Sequence, residues 1–132
     1  MLNGLNHITL AVSDVARSVD FYVNTLGFTL KAKWAHGAYL SLGSLWLCLS
    51  ADVVTRRDDY THYAFSVQDD DFDAFVEKLK LLGVTEWKIN KSEGKSFYFW
   101  DPDGHKLEIH DGDLTSRLQA CMKHPYEGMV FF

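Results

Sequence analysis

Leu5-Asn6-His7-Ile8-Thr9-Leu10-Ala11-Val12-Ser13-Asp14 and Thr61-His62-Tyr63-Ala64-Phe65-Ser66-Val67-Gln68-Asp69 are two versions of one pattern, and their pairing decides the fold. In each, a histidine stands five residues before a valine, followed by an acidic turn, an amphipathic stretch and a glycine. The interval is 20 residues from His7 to Gly27 (27 − 7) and 21 from His62 to Gly83 (83 − 62). A duplicated unit with one histidine per copy points to a site assembled from both copies.

Alternation with period two marks the strands. In 5–12, Leu5, His7, Thr9 and Ala11 share one face, and Ile8, Leu10 and Val12 the other. His62, Ala64 and Ser66 oppose Tyr63, Phe65 and Val67, and Lys106, Glu108 and His110 oppose Leu107 and Ile109. The wholly apolar faces are expected to pack on helices, which leaves His7, His62 and Glu108 on the concave face. Strands at 38–42 and 45–49 put Tyr39, Trp46 and Cys48 there too, and a strand near 96–100 adds Ser96 and Tyr98.

The first helix is expected after Ser13 or Asp14 as N-cap, burying Val15, Val19, Tyr22, Val23 and Leu26 and stopping at Gly27. The second follows Asp69, buries Phe72, Phe75, Val76, Leu79 and Leu82, and stops at Gly83. The order strand–helix–three strands, repeated, gives an α+β fold of two βαβββ repeats. Asp101-Pro102-Asp103-Gly104 reads as a tight turn. A short C-terminal helix from Asp113 uses Leu114, Leu118 and Cys121, and residues 50–60 form a polar linker.

Composition narrows the function. The 132 residues fit one domain spanning 1–132, with repeats at about 3–50 and 60–112 and a helix and tail at 113–132. Apolar residues at 47% make it globular, and a net charge of −5 without a basic run argues against nucleic acid as the partner. No apolar run reaches the roughly 20 residues of a membrane span, and no export signal is evident. Two cysteines without metal spacing fit a cytoplasmic protein with reduced thiols.

His7, His62 and Glu108 are candidate metal ligands. Two imidazoles and a carboxylate leave coordination positions open, as catalysis needs, and the donor set suits Mn²⁺, Fe²⁺ or Zn²⁺. Either histidine alone is more simply a hydrogen-bonded strand residue. Their equivalence in a repeat, facing a strand carboxylate that is costly to leave unpartnered, favours a metal. Lys88, Ser92, Ser96 and Tyr98 have the chemistry of an anion site for a phosphate- or phosphonate-like group, with Arg117 as a bidentate addition. Asn90, Ser92, Gly94 and Ser96 could offer oxygens to a monovalent cation. Cys48 has no histidine adjacent in sequence to activate it. His36, His105, His110 and His124 read as surface or hydrogen-bonded residues.

Together with Gly37-Ala38-Tyr39-Leu40, Leu45-Trp46-Leu47-Cys48, Ser92-Glu93-Gly94, Asp101-Pro102-Asp103-Gly104-His105-Lys106-Leu107-Glu108 and Pro125-Tyr126, the repeat resembles the fosfomycin-resistance glutathione transferases of the vicinal oxygen chelate superfamily. The resemblance spans essentially the whole chain. It implies a domain-swapped homodimer that uses Mn²⁺ and K⁺ and adds the glutathione thiol to the epoxide of fosfomycin. By that resemblance His7, His62 and Glu108 bind Mn²⁺, with His7 meeting the other two across subunits. Thr9, Lys88, Ser92, Ser96, Tyr98 and Arg117 contact the phosphonate, Tyr39 and Trp46 line the pocket, and Thr9 and Tyr39 act in catalysis. Asn90, Ser92, Gly94 and Ser96 form the K⁺ loop. Two departures stand out: a short linker at 51–59 with Arg56-Arg57, and Gly37 where related epoxide hydrolases place a glutamate base. An Fe²⁺ ring-cleaving dioxygenase of the same superfamily and a non-enzymatic antibiotic-binding module are the competing readings.

Overall fold

The computed structural model describes residues 1–132. The chain divides into two compact units, residues 1–60 with 100–105, and residues 61–99 with 106–132. The first contains β1 (His7–Val12), α1 (Val15–Asp20), β2 (Thr29–Trp34), β3 (Gly37–Leu42) and β4 (Leu45–Ala51). The second contains β5 (Tyr63–Ser66), α2 (Asp69–Leu81), β6 (Glu86–Lys88), β7 (Ser96–Trp100), β8 (Lys106–His110) and α3 (Leu114–Lys123). The α+β repeat is therefore present, and both sheets have the same topology, β1-β4-β3-β2 and β5-β8-β7-β6. In each, the first strand lies parallel to the last. β2 and β6, for which the alternation gave no bounds, are the strands at the far edges.

The alternation holds where it was read. Leu10, Val12, Ala38, Leu40, Leu47 and Leu49 are buried on one face of the first sheet, while His7, Thr9, Tyr39 and Trp46 are exposed on the other. Parallel register sets His7 opposite Trp46 and Thr9 opposite Cys48, and antiparallel register sets Tyr39 opposite Cys48. The open face thus carries two rows across the strands.

Helix burial differs from the expectation. Asp14 is the N-cap, accepting from Arg17 N, but α1 widens into a π-helical turn over Phe21–Thr25. Leu26 N–H donates to Phe21 O at 3.0 Å and Phe28 N–H to Tyr22 O at 2.9 Å, an ending completed by Gly27 at φ +87°. The fully buried residues are Ser18 and Tyr22, whereas Val15, Val19, Val23 and Leu26 are only half-buried. The cause is the Asp101–Gly104 turn, which is packed on this helix and demands hydrogen-bond donors. Asp103 accepts from Ser13 N and Oγ, from Ser18 Oγ and from Arg17 Nη2. Asp101, itself buried, accepts from Tyr22 Oη at 2.8 Å and from the backbone N–H of Asp103 and His105. Burial pushes the Asp101 carboxyl above its usual range, and nearby His105 and these donors pull it back.

In the second unit the α2 cap is Gln68 rather than Asp69, and Phe72 and Leu79 are its buried residues. Asp69, Asp70 and Asp71 form its first turn, where negative charge is favoured by the helix dipole. Leu82, expected in the core, is 56% exposed because the helix has ended before it and the chain turns at Gly83, φ +78°. In α3 the Asp113 cap is as expected and forms a capping box with Ser116, while Leu114 lies exposed and Cys121 is the buried residue.

The Arg56-Arg57 pair is pinned rather than free. Arg56 lies 3.8 Å over the Trp100 ring and Arg57 pairs with Asp59. No helix is long and apolar enough to cross a membrane.

Replacing Tyr22 by Phe takes one donor from a buried carboxylate, for which the expected cost is about 1–3 kcal/mol. Urea unfolding of Tyr22→Phe against the parent chain measures it, and an unchanged midpoint would show that the turn is not held this way.

Candidate active site

Glu108 lies in the middle of β8, 6% exposed, where an isolated carboxylate would be strongly disfavoured. It is partnered on both oxygens. Its Oε2 is 2.9 Å from His62 Nε2, and its Oε1 accepts from Ser96 Oγ at 2.7 Å. His62 precedes β5, the strand paired with β8, and Ser96 opens β7 on the other side. Sheet order alone therefore delivers both partners to the carboxylate.

The His62–Glu108 pair is suited to a cation. An imidazole nitrogen and a carboxylate oxygen converge at 2.9 Å, and with the hydrogen between them released the two would be able to act together as donors to one divalent ion. A wall of aromatic rings surrounds them, with Trp87 centred 5.6 Å and Tyr98 6.0 Å from His62. Trp87 donates its indole N–H to Leu107 O at 3.1 Å, which fixes the ring. The sequence alone gives Trp87 no face, because the three-residue strand carrying it is too short for alternation to register.

Tyr98 is buried, and desolvation first and the Glu108 charge second push its phenol above the ordinary value. The neighbouring Ser92 and Ser96 hydroxyls and the Lys88 ammonium pull the other way. The phenol is therefore a neutral hydrogen-bond donor at physiological pH. Lys88 lies 4.8 Å over its ring.

The 90–95 loop folds on Asn90. Its Oδ1 accepts from Ser92 N at 3.0 Å and Ser92 Oγ at 2.9 Å, and its Nδ2 donates to Gly94 O at 2.9 Å. The oxygens of Asn90, Ser92 and Gly94 are thus gathered, but both acceptor positions of Asn90 Oδ1 are filled, Gly94 O already accepts from Asn90 Nδ2, and Ser92 Oγ takes a long hydrogen bond, 3.4 Å, from Arg117 Nη2. Arg117 braces this loop. Its Nε donates to Glu93 Oε2 at 2.9 Å and its Nη2 to Glu93 O at 3.3 Å, and the Glu93 hydrogen bond raises the guanidinium further above its ordinary value. A bidentate grip on an anion along that edge would require this pair to break. Ser96 is likewise committed, since the one hydrogen of its hydroxyl goes to Glu108.

The first unit holds the remaining candidates. His7 stacks at 4.4 Å on Trp46, and Tyr39 meets Trp46 edge-on at 5.3 Å and Trp34 at 4.8 Å. Thr9 is exposed on the same face, and Cys48 is half-buried beside it. The second unit brings together His62 and Glu108, the first holds His7, and neither gathers three metal-ligating side chains.

Gly37 is walled in. A Cβ there would lie 2.5 Å from Trp34 Cζ2 and 2.6 Å from Leu49 O, so no side chain fits without displacing backbone. Gly37→Ala is expected to destabilise the chain by about 1–3 kcal/mol. Adding Trp34→Ala should recover only part of this, because the Leu49 carbonyl remains; full recovery in urea unfolding would contradict the geometry.

Residues 4–109 match the family model described as Glyoxalase/Bleomycin resistance protein/Dioxygenase superfamily. The chain is 57% identical over 136 residues to the glutathione transferase FosA of Serratia marcescens, covering 99% of this chain and 96% of that protein. It is 40% identical over 130 residues to the metallothiol transferase FosB of Staphylococcus haemolyticus, covering 89% and 90%. The structure of the fosfomycin resistance protein FosX of Listeria monocytogenes matches with a TM-score of 0.82 at 31% identity, covering 91% of this chain and 99% of that one. A variant of FosX complexed with Mn(II) and 1S,2S-dihydroxypropylphosphonic acid matches with a TM-score of 0.82 at 30% identity, covering 89% and 99%. With the repeat, the sheet order and these likenesses in agreement, the chain belongs to the glyoxalase/bleomycin resistance protein/dioxygenase superfamily, in the family that holds the glutathione transferase FosA.

Proposed function

We propose that this chain is a divalent-metal-dependent transferase that opens the epoxide of fosfomycin with the thiol of glutathione, working as a homodimer. The observation that carries the reading is the His62–Glu108 pair at 2.9 Å, set beside Ser96 and Tyr98 in a chain 57% identical to FosA. His7, His62 and Glu108 are the proposed ligands, with His7 supplied to the partner's His62 and Glu108. Mn²⁺ is the proposed ion, supported by the Mn(II) of the FosX complex. Held there, a divalent ion supplies Lewis acidity to the epoxide oxygen as its bond to carbon breaks.

The chain's own groups do the rest. Lys88 and the neutral Tyr98 phenol give the phosphonate a charge and a hydrogen bond, and fixed donors need no rearrangement as charge develops. Arg117, on α3, reaches Ser92 of the 90–95 loop at 3.4 Å, and both are proposed to face the phosphonate, while Ser96 contributes chiefly by holding Glu108. On the open face of the first sheet, Thr9 is proposed to contact the phosphonate and Tyr39 and Trp46 to line the pocket, with Thr9 and Tyr39 nearest the reacting atoms. The thiol gives up its proton to solvent, the sulfur attacks an epoxide carbon, the carbon–oxygen bond breaks, and the oxygen takes a proton back from solvent to end as a hydroxyl. K⁺ is assigned to the loop of Asn90, Ser92, Gly94 and Ser96, where Ser92 Oγ and Gly94 O would have to take the ion alongside the hydrogen bonds they already accept. Thiol rather than water is favoured because a carboxylate base at position 37 has no room.

Metal-loaded protein given fosfomycin and glutathione should consume thiol and form the adduct, with EDTA abolishing it and K⁺ raising the rate. Absence of adduct from folded, Mn²⁺-loaded protein would overturn the reading. Glu108→Ala should lose Mn²⁺ affinity and turnover together, by more than the roughly 10–100-fold that removal of an outer partner costs. Lys88→Ala should keep Mn²⁺ affinity and raise KM for fosfomycin by roughly 10-fold or more, the worth of a charge-assisted bond. Calorimetric titration and steady-state kinetics separate the two.

A further inference from the structure

His110 follows Glu108 by two residues on β8, on the same face, and takes no part in the chemistry so far described. Its Nδ1 lies 2.7 Å from Ser96 Oγ and 3.1 Å from Lys95 O. Glu108 as a carboxylate only accepts, so the single hydroxyl hydrogen of Ser96 goes to Glu108 Oε1 at 2.7 Å. Ser96 Oγ must then accept from His110, and Lys95 O can only accept. Nδ1 therefore carries a hydrogen, and it is directed at both oxygens. The result is a directed chain, His110 to Ser96 to Glu108, ending on the carboxylate that faces His62.

The ring is held in a slot that only glycine leaves open. A Cβ at Gly94 would lie 2.9 Å from His110 Cε1, and one at Gly112 would lie 2.5 Å from its Nε2. The two glycines flank the imidazole, which leaves it little freedom to turn Nδ1 away from Ser96.

We propose that His110 is a positioning residue of the metal site, orienting the Ser96 hydroxyl and through it the Glu108 carboxylate. The proposal rests on Glu108 being a metal ligand. Partners of this kind fix the orientation of a ligand and typically account for about 10–100-fold in metal affinity. The same link makes the 90–95 loop a support of the metal ligand as well as an anion or cation site, because Lys95 O and Gly94 hold the ring that holds Ser96.

Two amide side chains separate positioning from bulk. The amide nitrogen of Asn reproduces Nδ1, and that of Gln reproduces Nε2. Chelator-treated protein is titrated with Mn²⁺ while the electron paramagnetic resonance signal of the free ion is followed, and the thermal midpoint is taken in EDTA. His110→Gln should weaken Mn²⁺ binding about 10-fold, and His110→Asn should stay within about threefold of the parent. Because the effect runs through one hydroxyl, Ser96→Ala with His110→Gln should bind no more weakly than Ser96→Ala alone. Gly112→Ala, which presses on the ring without removing its donor, should weaken Mn²⁺ binding even where His110→Gln lowers the midpoint. Parent-like binding by both His110→Gln and Gly112→Ala overturns the proposal, as do equal losses in the Asn and Gln variants or additive losses in the double variant. A folded parent chain that binds no Mn²⁺ overturns the ligand assignment itself, and this proposal with it.

Discussion

A carboxylate sealed into the middle of a sheet has to be satisfied on both oxygens, and Glu108 is where that requirement falls. Everything near it follows from meeting the requirement. The strand on one side brings His62, the strand on the other brings Ser96, and Ser96 Oγ is in turn 2.7 Å from His110 Nδ1. A group that a stable core would avoid is kept and surrounded by specific partners. Such an arrangement is weak as a source of stability and strong as a way of fixing geometry.

The two repeats use one topology for two purposes. In the first sheet the polar face is left open, with Tyr39 and Trp46 each 39% exposed beside His7. In the second, the middle residues of β7 and β8 are buried on both faces, since Phe97, Phe99, Leu107 and Ile109 fill one side and Tyr98 and Glu108 the other. Duplication therefore supplies two sheets of the same order, and substitution within them makes one an open platform and the other a closed seat for charge.

The paired histidines, the helix-ending glycines and the alternation through β1, β3, β4, β7 and β8 were legible because each has a period or a fixed offset. The edge strands were not, because β6 has three residues and most of β2 is exposed on both faces, so neither shows a clean alternation. The burial of Ser18 in place of its aliphatic neighbours was also hidden. It depends on a turn 85 residues away in sequence, whose Asp103 faces the helix. Of the site residues, Glu108, His62 and Tyr98 could be placed by face, whereas Arg117 and Ser96 had to be seen with their hydrogens already given to Glu93 and Glu108. His110 shares the Glu108 face by simple alternation. Its significance depends on which atom the hydroxyl between them chooses, and that is invisible in one dimension.

Glycine is the residue whose purpose a sequence conceals most. Gly27 and Gly83 could be read as helix ends, but Gly37, Gly94 and Gly112 act by what they leave empty. At position 37 the vacancy is taken by the Trp34 indole, which then meets Tyr39 edge-on and fixes one wall of the open face. At positions 94 and 112 the vacancy is taken by the His110 imidazole. In both units a ring is held by the absence of a Cβ, and packed interiors transmit such constraints because they have little room to relax. A side chain added at position 37 would press on a wall of the open face, and one added at 94 or 112 on the support of the buried carboxylate. The glycines therefore belong to the site as firmly as the residues that carry its charge.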